Sequence, residues 1–263
     1  MVDLHSHILP GLDDGAPDVE ASVALAHAAV AAGTTTLVAT PHVSLTYDTL
    51  PEAVSSGIEA LGARLADEGI PLELVGGAEI AVPRLSELDG DALAALAIGD
   101  GPYLLVESPY SASPFLEDTV FDLMTRGFKP IMAHPERCAL FQRNRPRLER
   151  LVAQGVLCSI TAGALSGRFG RVPQQFAHEL LSAGLAHDIS SDAHDTDRRP
   201  PGLGEGLAAL TEELPQLASQ VDWFAQDAPE AIVRGAPLPA RPAAGPGRSR
   251  PRWRRQLTDW RRR

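Results

Sequence analysis

The sequence is poor in cysteine. Only Cys138 and Cys158 occur among its 263 residues, and they do not form a Cys-x-x-Cys pair. A disulfide framework or a zinc-thiolate site is therefore not expected, and the cysteine content is typical of a protein in a reducing compartment.

Long hydrophobic runs and glycine-rich phosphate loops are also missing. No stretch approaches about 18 uninterrupted apolar residues, the length that a membrane-spanning helix needs. The N-terminus has no basic segment followed by an apolar one, so a secretory signal is not expected. Gly-x-Gly-x-x-Gly and P-loop patterns are absent as well. We expect a soluble, cytoplasmic protein.

Positive charge is scarce except at the C-terminus. The formal net charge is −11, but residues 241–263 contain nine arginines and one aspartate, so a local charge of +8 leaves −19 on the preceding 240 residues. An acidic body disfavours nucleic-acid binding, because affinity for the phosphate backbone requires clustered Lys and Arg. Carboxylates in excess can also serve as ligands of cations.

The C-terminal segment differs in composition from the rest of the chain. Residues 237–247 are rich in Pro, Gly and Ala, and the basic stretch that follows contains Trp253 and Trp260. We predict a catalytic domain over residues 1–236 and a disordered linker and basic tail over residues 237–263. Alternatively, the tail forms a short amphipathic helix that makes weak contact with an acidic partner or with anionic lipid at the inner membrane face.

Short apolar, β-branched runs alternate with longer Ala- and Leu-rich segments of helical period. Seven strands are predicted, at residues 1–5, 36–40, 72–76, 103–107, 130–133, 156–161 and 187–191. Helices are predicted over residues 18–32, 51–68, 115–126, 145–154, 173–183 and 202–212. The first has the clearest limits, with Asp18 as N-cap and Gly33 as its stop. Repeated β-α units of this kind favour an α/β fold with a barrel-like parallel sheet.

Titratable side chains fall at the ends of most of these strands. In strand order they are His5 and His7, His42, Glu79, Glu107, His134, and Asp192 with His194. A single residue of this kind is more often a cap or an ion-pair partner, but a chance origin of the whole set is improbable. Because the loops at the carboxyl ends of barrel strands converge on one mouth, we expect these side chains to meet there.

The local spacing suits metal binding. In an extended segment, residues i and i+2 point to the same side, so His5 and His7 can bind one ion. Asp13 and Asp14 add a carboxylate to the first loop, and either of the two can be the ligand. Imidazole and carboxylate ligands without thiolate favour Mn²⁺, Fe²⁺, Co²⁺ or Zn²⁺ over Ca²⁺.

Three other histidines are not assigned to the site. His27 and His178 fall within predicted helices, and His187 stands at the start of a predicted strand. We predict structural roles for all three.

The residues around the predicted ligands resemble a known family. The motifs are Asp-Leu-His5-Ser-His7-Ile, Asp-Asp14-Gly, Thr-Pro-His42, Gly-Ala-Glu79-Ile, Glu107-Ser-Pro, Ala-His134-Pro-Glu-Arg137, Ser-Asp192-Ala-His194 and Arg199-Pro-Pro. In unbroken order over roughly residues 1 to 235, they resemble the PHP (polymerase and histidinol phosphatase) superfamily. They are most similar to its bacterial manganese-dependent tyrosine phosphatases of capsular and exopolysaccharide operons, the CpsB/CapC/YwqE type.

The resemblance implies a distorted (β/α)7 TIM-like barrel with a trinuclear site at its C-terminal mouth, holding three divalent ions, with Mn²⁺ favoured. The implied ligands are His5, His7, Glu79 and Asp192 for the first ion, Glu79, Glu107 and His134 for the second, and Asp14, His42 and His194 for the third. The family's phosphate-contacting arginines fall on Arg137 and Arg199, with Arg198 as a local alternative. Planar guanidinium groups match phosphate oxygens in a bidentate manner.

The function implied by the resemblance is hydrolysis of phosphotyrosine, with a bacterial tyrosine autokinase that controls capsule or exopolysaccharide synthesis as the protein substrate. A cysteinyl nucleophile is disfavoured, because Asn144 and Ala164 stand six residues after the cysteines, where that mechanism needs arginine. Two alternatives are a phosphatase for small phosphomonoesters such as histidinol phosphate, and a noncatalytic, metal-stabilised binding module. Glu107 favours the tyrosine-phosphatase branch, since histidinol phosphatases tend to use histidine at that position.

Overall fold

The computed structural model describes residues 1–109 and 113–245. Within these ranges the chain adopts a mixed α/β fold with parallel sheets. The described strands are β1 (Val2–Ser6), β2 (Thr36–Ala39), β3 (His42–Val43), β4 (Glu73–Gly76), β5 (Glu79–Ala81), β6 (Tyr103–Glu107), β7 (Lys129–Ala133), β8 (Leu157–Thr161) and β9 (Asp188–Ser190).

Helices separate most of the strands. They are α1 (Val19–Ala31), α2 (Pro51–Asp67), α3 (Val82–Leu85), α4 (Gly90–Ala95), α5 (Leu116–Thr125), α6 (Ala139–Arg143), α7 (Arg145–Ala153), α8 (Ala162–Leu165), α9 (Arg171–Ser182), α10 (Leu203–Glu213) and α11 (Ala228–Val233). Two 3₁₀ helices span Pro135–Arg137 and Pro215–Gln220, and a π-helical turn spans Trp223–Asp227.

The strands form two sheets. One has the order β1-β2-β4 and the other the order β3-β5-β6-β7-β8-β9, and every pairing is parallel. The sheets adjoin just beyond β9, where Ser6 forms a parallel bridge with Ala193 and the Asp192 N–H donates to the His5 carbonyl at 2.9 Å. The carboxyl ends of β1 and β9 therefore lie side by side.

All seven predicted strands are present, each with ends within about one residue of the prediction. His42 and Glu79, which follow the predicted strands 36–40 and 72–76, begin the short strands β3 and β5 and pair with each other in register. These two short strands are not among those predicted. Pro41, which has no N–H to donate, separates β2 from β3, while its carbonyl accepts the Glu79 N–H at 3.1 Å. Strands of two or three residues are too short to carry a periodic pattern.

The six predicted helices are also confirmed, and α1 shows why its limits are readable. The Asp18 side chain accepts the Ala21 N–H at 2.9 Å, which satisfies a free donor of the first turn. Gly33 follows the helix with φ of +90°, in the left-handed region that glycine adopts without strain.

Residues 237–245, which fall within the predicted linker, pack on the body. The Arg241 guanidinium lies over the ring of Phe224, 4.6 Å from its centroid, and donates to the Ala186 carbonyl at 3.1 Å. Trp223 Nε1 donates to the Pro239 carbonyl at 3.1 Å. The packed chain therefore continues to at least residue 245. Backbone carbonyls of this proline-rich stretch accept hydrogen bonds from the body, and amino-acid composition does not reveal such contacts. Residues 246–263, which include most of the basic tail, lie outside the described residues.

Cys138 and Cys158 are both buried and free. None of the described helices combines the length and the apolar composition needed to span a membrane.

Candidate metal centre

The predicted ligand residues lie close together, around one buried carboxylate. Glu79, at the start of β5, is their common neighbour and is 1% exposed. Its Oε2 atom lies 3.2 Å from His5 Nε2 and 3.2 Å from His42 Nδ1. Its Oε1 atom lies 2.6 Å from His134 Nε2. One carboxylate therefore contacts imidazoles from three separate parts of the chain.

Three overlapping groups of side chains have ligand atoms within 4.8 Å of one another. They are His7, Asp14, His42 and His194, then His5, His7 and Asp192, and finally His42, Glu79 and Glu107. Every residue predicted as a ligand belongs to one of these groups or, in the case of His134, lies next to Glu79.

The two neighbouring aspartates of the first loop occupy different positions. Asp14 is 47% exposed, and its Oδ1 atom lies 3.5 Å from His42 Nε2 and 3.4 Å from His194 Nε2. The Asp13 side chain is 1% exposed; its Oδ2 atom accepts from His7 Nδ1 at 2.6 Å and from the His42 N–H at 2.8 Å. Of the two, Asp14 therefore belongs to a group of candidate ligands. Asp13 instead accepts hydrogen bonds from the His7 ring and from the His42 backbone.

Backbone strain is concentrated at two of these positions. Among the described residues, His134 and Asp192 are the non-glycine residues with positive φ, at 38° and 54°. Left-handed backbone is costly for side chains other than glycine and persists where the surrounding structure enforces it. Both side chains are buried and turned towards Glu79 or His5.

Two arginines share one carboxylate oxygen of this cluster. Arg137 Nη1 and Arg199 Nη2 each donate a short hydrogen bond to Asp192 Oδ2. Arg198, the alternative to Arg199, is exposed, and its carbonyl accepts from Arg168 Nη1 at 3.2 Å. Burial alone would raise the pKa of Asp192, but His5 and the two arginines, together with a hydrogen bond to His7, hold it well below its usual range.

The donor set fits divalent cations. His42 Nδ1, Asp192 Oδ1 and His194 Nε2 are buried and have no hydrogen-bond partner among the described residues. Buried polar atoms are normally satisfied, and a cation would satisfy all three. Burial and the neighbouring His7 lower the pKa of His194 to about 2, so its imidazole is neutral, which is the form that binds metal.

Negative charge accumulates in the same place. Burial raises the pKa of Glu107 to about 7, and the nearby charge of Glu79 acts in the same direction. Burial alone would lower the pKa of His7, but hydrogen bonds to Asp13, Asp192 and Glu79 raise it well above its usual value. The cluster thus favours bound positive charge, which a divalent cation supplies.

The chain that carries these candidate ligands also matches a family model. Its residues 1–233 match the model described as capsular polysaccharide synthesis, CpsB/CapC. The chain belongs to the CpsB/CapC family.

Relatives in this family cover nearly the same length. Tyrosine-protein phosphatase YwqE of Bacillus subtilis (strain 168) is 36% identical over 236 residues, which make up 89% of this chain and 92% of the relative. Tyrosine-protein phosphatase CpsB of Streptococcus pneumoniae is 28% identical over 225 residues, covering 81% of this chain and 90% of the relative.

A solved structure agrees with the CpsB/CapC assignment. It comes from work on YwqE from Bacillus subtilis and CpsB from Streptococcus pneumoniae, described there as unique metal-dependent tyrosine phosphatases. The match has a TM-score of 0.81 and 32% sequence identity, and covers 94% of this chain and 99% of the solved chain. The fold of this CpsB/CapC chain is therefore that of a metal-dependent relative over almost its whole length.

Two buried acids that support the CpsB/CapC site are missed by sequence reasoning. Asp3 Oδ1 accepts the Ser191 N–H at 2.9 Å and the His5 N–H at 3.3 Å, which links β1 to the loop that carries Asp192. Glu136 Oε1 accepts the Thr161 N–H at 3.1 Å, and burial raises its pKa to about 7. Asp3 lies two residues before His5, and Glu136 lies two residues after His134. This closeness to candidate ligands in the sequence is the one feature that could have indicated their role.

The histidines predicted to be structural lie outside the three groups of candidate ligands. His187 Nδ1 accepts the Cys158 N–H at 3.1 Å, and burial together with the charge of Arg241 lowers its pKa to about 4. Its hydrogen bond joins the start of β9 to β8, which is a packing role.

Proposed function

We propose that this chain is a metal-dependent protein-tyrosine-phosphatase that hydrolyses phosphotyrosine on a protein substrate. The observation that carries the proposal is the buried cluster around Glu79, with Arg137 and Arg199 held at its edge by Asp192. The chain also belongs to a family whose relatives are named tyrosine-protein phosphatases.

The proposed architecture is a distorted (β/α)7 TIM-like barrel made from the two parallel sheets, with three divalent ions at its C-terminal mouth. The residues proposed to hold them are His5, His7, Glu79 and Asp192, then Glu79, Glu107 and His134, and finally Asp14, His42 and His194. The overlap of the three groups at His7 and His42 supports ions that share neighbouring ligands. Mn²⁺ is the proposed ion, because the donors are imidazoles and carboxylates without thiolate.

In the proposed mechanism the protein binds and orients the phosphoryl group. Divalent ions held by these ligands would activate water and polarise the phosphoryl oxygens. Arg137 and Arg199 lie next to each other on Asp192 Oδ2, so the two guanidinium groups can bind phosphoryl oxygens and neutralise charge that develops in the transition state. The tyrosine oxygen can leave as phenolate with little protonation, because its pKa of about 10 is low for an alcohol.

The proposed biological substrate is a bacterial tyrosine autokinase that controls capsule or exopolysaccharide synthesis. The family's description as capsular polysaccharide synthesis supports this setting. We propose a cytoplasmic location, and the net charge of +8 over residues 241–263 supports weak attraction of the C-terminus to an acidic partner or to anionic lipid at the inner face of the membrane.

Phosphate release from a phosphotyrosine peptide and from histidinol phosphate tests the proposed function. With Mn²⁺ present, we expect the peptide to be the better substrate by kcat/KM, and EDTA to abolish both reactions. A dominant rate on histidinol phosphate would instead assign the chain to small phosphomonoesters. Failure to hydrolyse either compound at saturating Mn²⁺ would indicate a noncatalytic binding module.

Asp13→Asn is expected to reduce activity at limiting Mn²⁺ about tenfold to a hundredfold. Both Asp13 oxygens accept hydrogen bonds, from His7 Nδ1, the His42 N–H and the Gly15 N–H. An asparagine NH₂ group would face one of these donors and disturb the orientation of the imidazoles. The measurement is initial rate against Mn²⁺ concentration, and the expected change is a higher Mn²⁺ concentration at half-maximal rate.

Asp67→Asn is the matched control for this prediction. Asp67 is exposed at the end of α2, so the same loss of charge should leave the Mn²⁺ dependence unchanged. An Asp13→Asn enzyme with the Mn²⁺ dependence of the wild type would show that Asp13 does not support the ligands.

A further inference from the structure

A phenylalanine outside the quoted motifs contacts one of the two arginines. The Arg137 guanidinium carbon lies over the Phe169 ring, 4.5 Å from its centroid. A guanidinium within about 6 Å of an aromatic centroid is attracted by the electron-rich ring face. The same guanidinium donates to Asp192 Oδ2. Arg137 is therefore held by an aromatic ring and by a carboxylate at the same time.

The loop that carries Phe169 also contacts the segment of the second arginine. This loop joins α8 to α9, and Arg168 Nη1 donates to the Arg198 carbonyl at 3.2 Å, one residue before Arg199. Arg168 Nη2 also lies 3.5 Å from the Glu205 carboxylate, so the same side chain contacts α10. One loop thus touches both arginine-bearing segments, although they are far apart along the chain.

Close packing holds this loop in place. A Cβ atom at Gly163 would lie 3.2 Å from the Phe169 ring and 3.3 Å from the Arg168 side chain, which is tighter than ordinary contact. Gly163 thereby allows the loop to fold back over the end of β8. The Phe169 ring that faces Arg137 is therefore packed closely against Gly163.

We propose that Phe169 is a positioning residue for phosphotyrosine hydrolysis, acting by stacking on Arg137 and keeping its guanidinium beside Asp192; this rests on the proposed phosphatase function. A free arginine side chain samples many rotamers, and binding phosphate would then require that freedom to be lost. Because Phe169 and Asp192 hold the guanidinium from two directions, its N–H groups are oriented before substrate arrives.

The competing explanation is that Phe169 only packs against the core, since its ring also contacts the main hydrophobic cluster. Two substitutions separate these roles. Phe169→Leu keeps an apolar side chain but removes the ring, and Phe169→Tyr keeps the ring face. If Phe169 acts by stacking, Phe169→Leu should weaken phosphate recognition and Phe169→Tyr should keep it. If Phe169 only packs against the core, the two variants should not differ in phosphate recognition.

The test is steady-state hydrolysis of a phosphotyrosine peptide at saturating Mn²⁺. We expect Phe169→Leu to lower kcat/KM by about threefold to thirtyfold, and Phe169→Tyr to stay within about threefold of the wild type. Metal content should be unchanged. In an Arg137→Ala background, Phe169→Leu should have no further effect on kcat/KM, because the group that it positions is gone.

Phe128→Leu provides a matched control for the loss of an arginine-aromatic contact. Arg126 lies over the Phe128 ring at 5.9 Å, just before β7 and therefore at the opposite end of that strand from His134. This variant should keep the kinetics of the wild type.

Calorimetric binding of inorganic phosphate to the Mn²⁺-loaded protein separates the inference from the proposed function. We expect Phe169→Leu to weaken phosphate binding by a similar factor whether or not the protein hydrolyses phosphotyrosine. Peptide hydrolysis by the wild type together with unchanged kinetics in Phe169→Leu would overturn the role of Phe169 and leave the function intact. An equal loss on adding Phe169→Leu to Arg137→Ala would also overturn it.

Discussion

Glu79→Gln is expected to reduce phosphotyrosine hydrolysis by a factor on the order of a thousand and to lower the content of bound divalent metal. Glu79 Oε2 faces His5 and His42, and Oε1 faces His134, so both oxygens are used within the cluster. Glutamine has the same size but no charge, and its NH₂ group would replace one of these two acceptors. The measurements are kcat on a phosphotyrosine peptide and metal content by elemental analysis.

Glu73→Gln is the matched control for the Glu79 prediction. Glu73 is exposed at the start of β4, six residues earlier, where its carboxylate accepts the Thr36 hydroxyl at 3.0 Å. Glu79→Asp is a second variant for the case that Glu79→Gln impairs folding. It keeps the negative charge on a side chain that is shorter by one methylene. Normal metal content and normal turnover in both Glu79 variants would contradict the proposed role.

The second large effect is expected from the arginines. Arg137→Ala should lower kcat/KM for the phosphotyrosine peptide by about a hundredfold, with metal content unchanged, because it removes one cationic donor to the phosphoryl oxygens. Arg199→Ala should act similarly, since both side chains meet at Asp192 Oδ2. Arg137→Lys should recover little, because lysine cannot form a bidentate contact or stack on Phe169 in the same way.

Arg143→Ala is the control for the arginine prediction. Arg143 is exposed on α6, six residues after Arg137, and its loss changes the net charge by the same amount. Its kinetics should match the wild type at any ionic strength. If Arg137→Ala and Arg143→Ala have equal and small effects, phosphate recognition must be placed elsewhere.

Much of the fold is predictable because its signals are local. The short apolar runs of β6 and β8 and the capped helix α1 each carry their own pattern. The short strands at His42 and Glu79 depend on pairing between distant segments, which a single sequence does not show. The packing of residues 237–245 depends on contacts such as Arg241 with Phe224, against a composition typical of linkers.

The grouping of the candidate ligands is predictable for a related reason. In a parallel fold the strand ends converge, so acids and histidines at those ends can be grouped before any distance is known. The choice between Asp13 and Asp14 depends on which carboxylate turns towards His42 Nε2, and that is a matter of loop conformation. Phe169 follows α8 rather than a strand, and no motif marks it, so its contact with Arg137 is visible only in three dimensions.

The most direct test of the account is a Mn²⁺ titration of EDTA-treated, metal-free protein, with phosphotyrosine-peptide hydrolysis and bound metal measured on the same samples. We predict no activity in the metal-free protein and a rise that saturates at about three bound ions per chain, whereas Glu79→Gln should bind fewer ions and recover no activity. Full activity without bound metal, or Mn²⁺ binding that is identical in Glu79→Gln, would contradict the central claim.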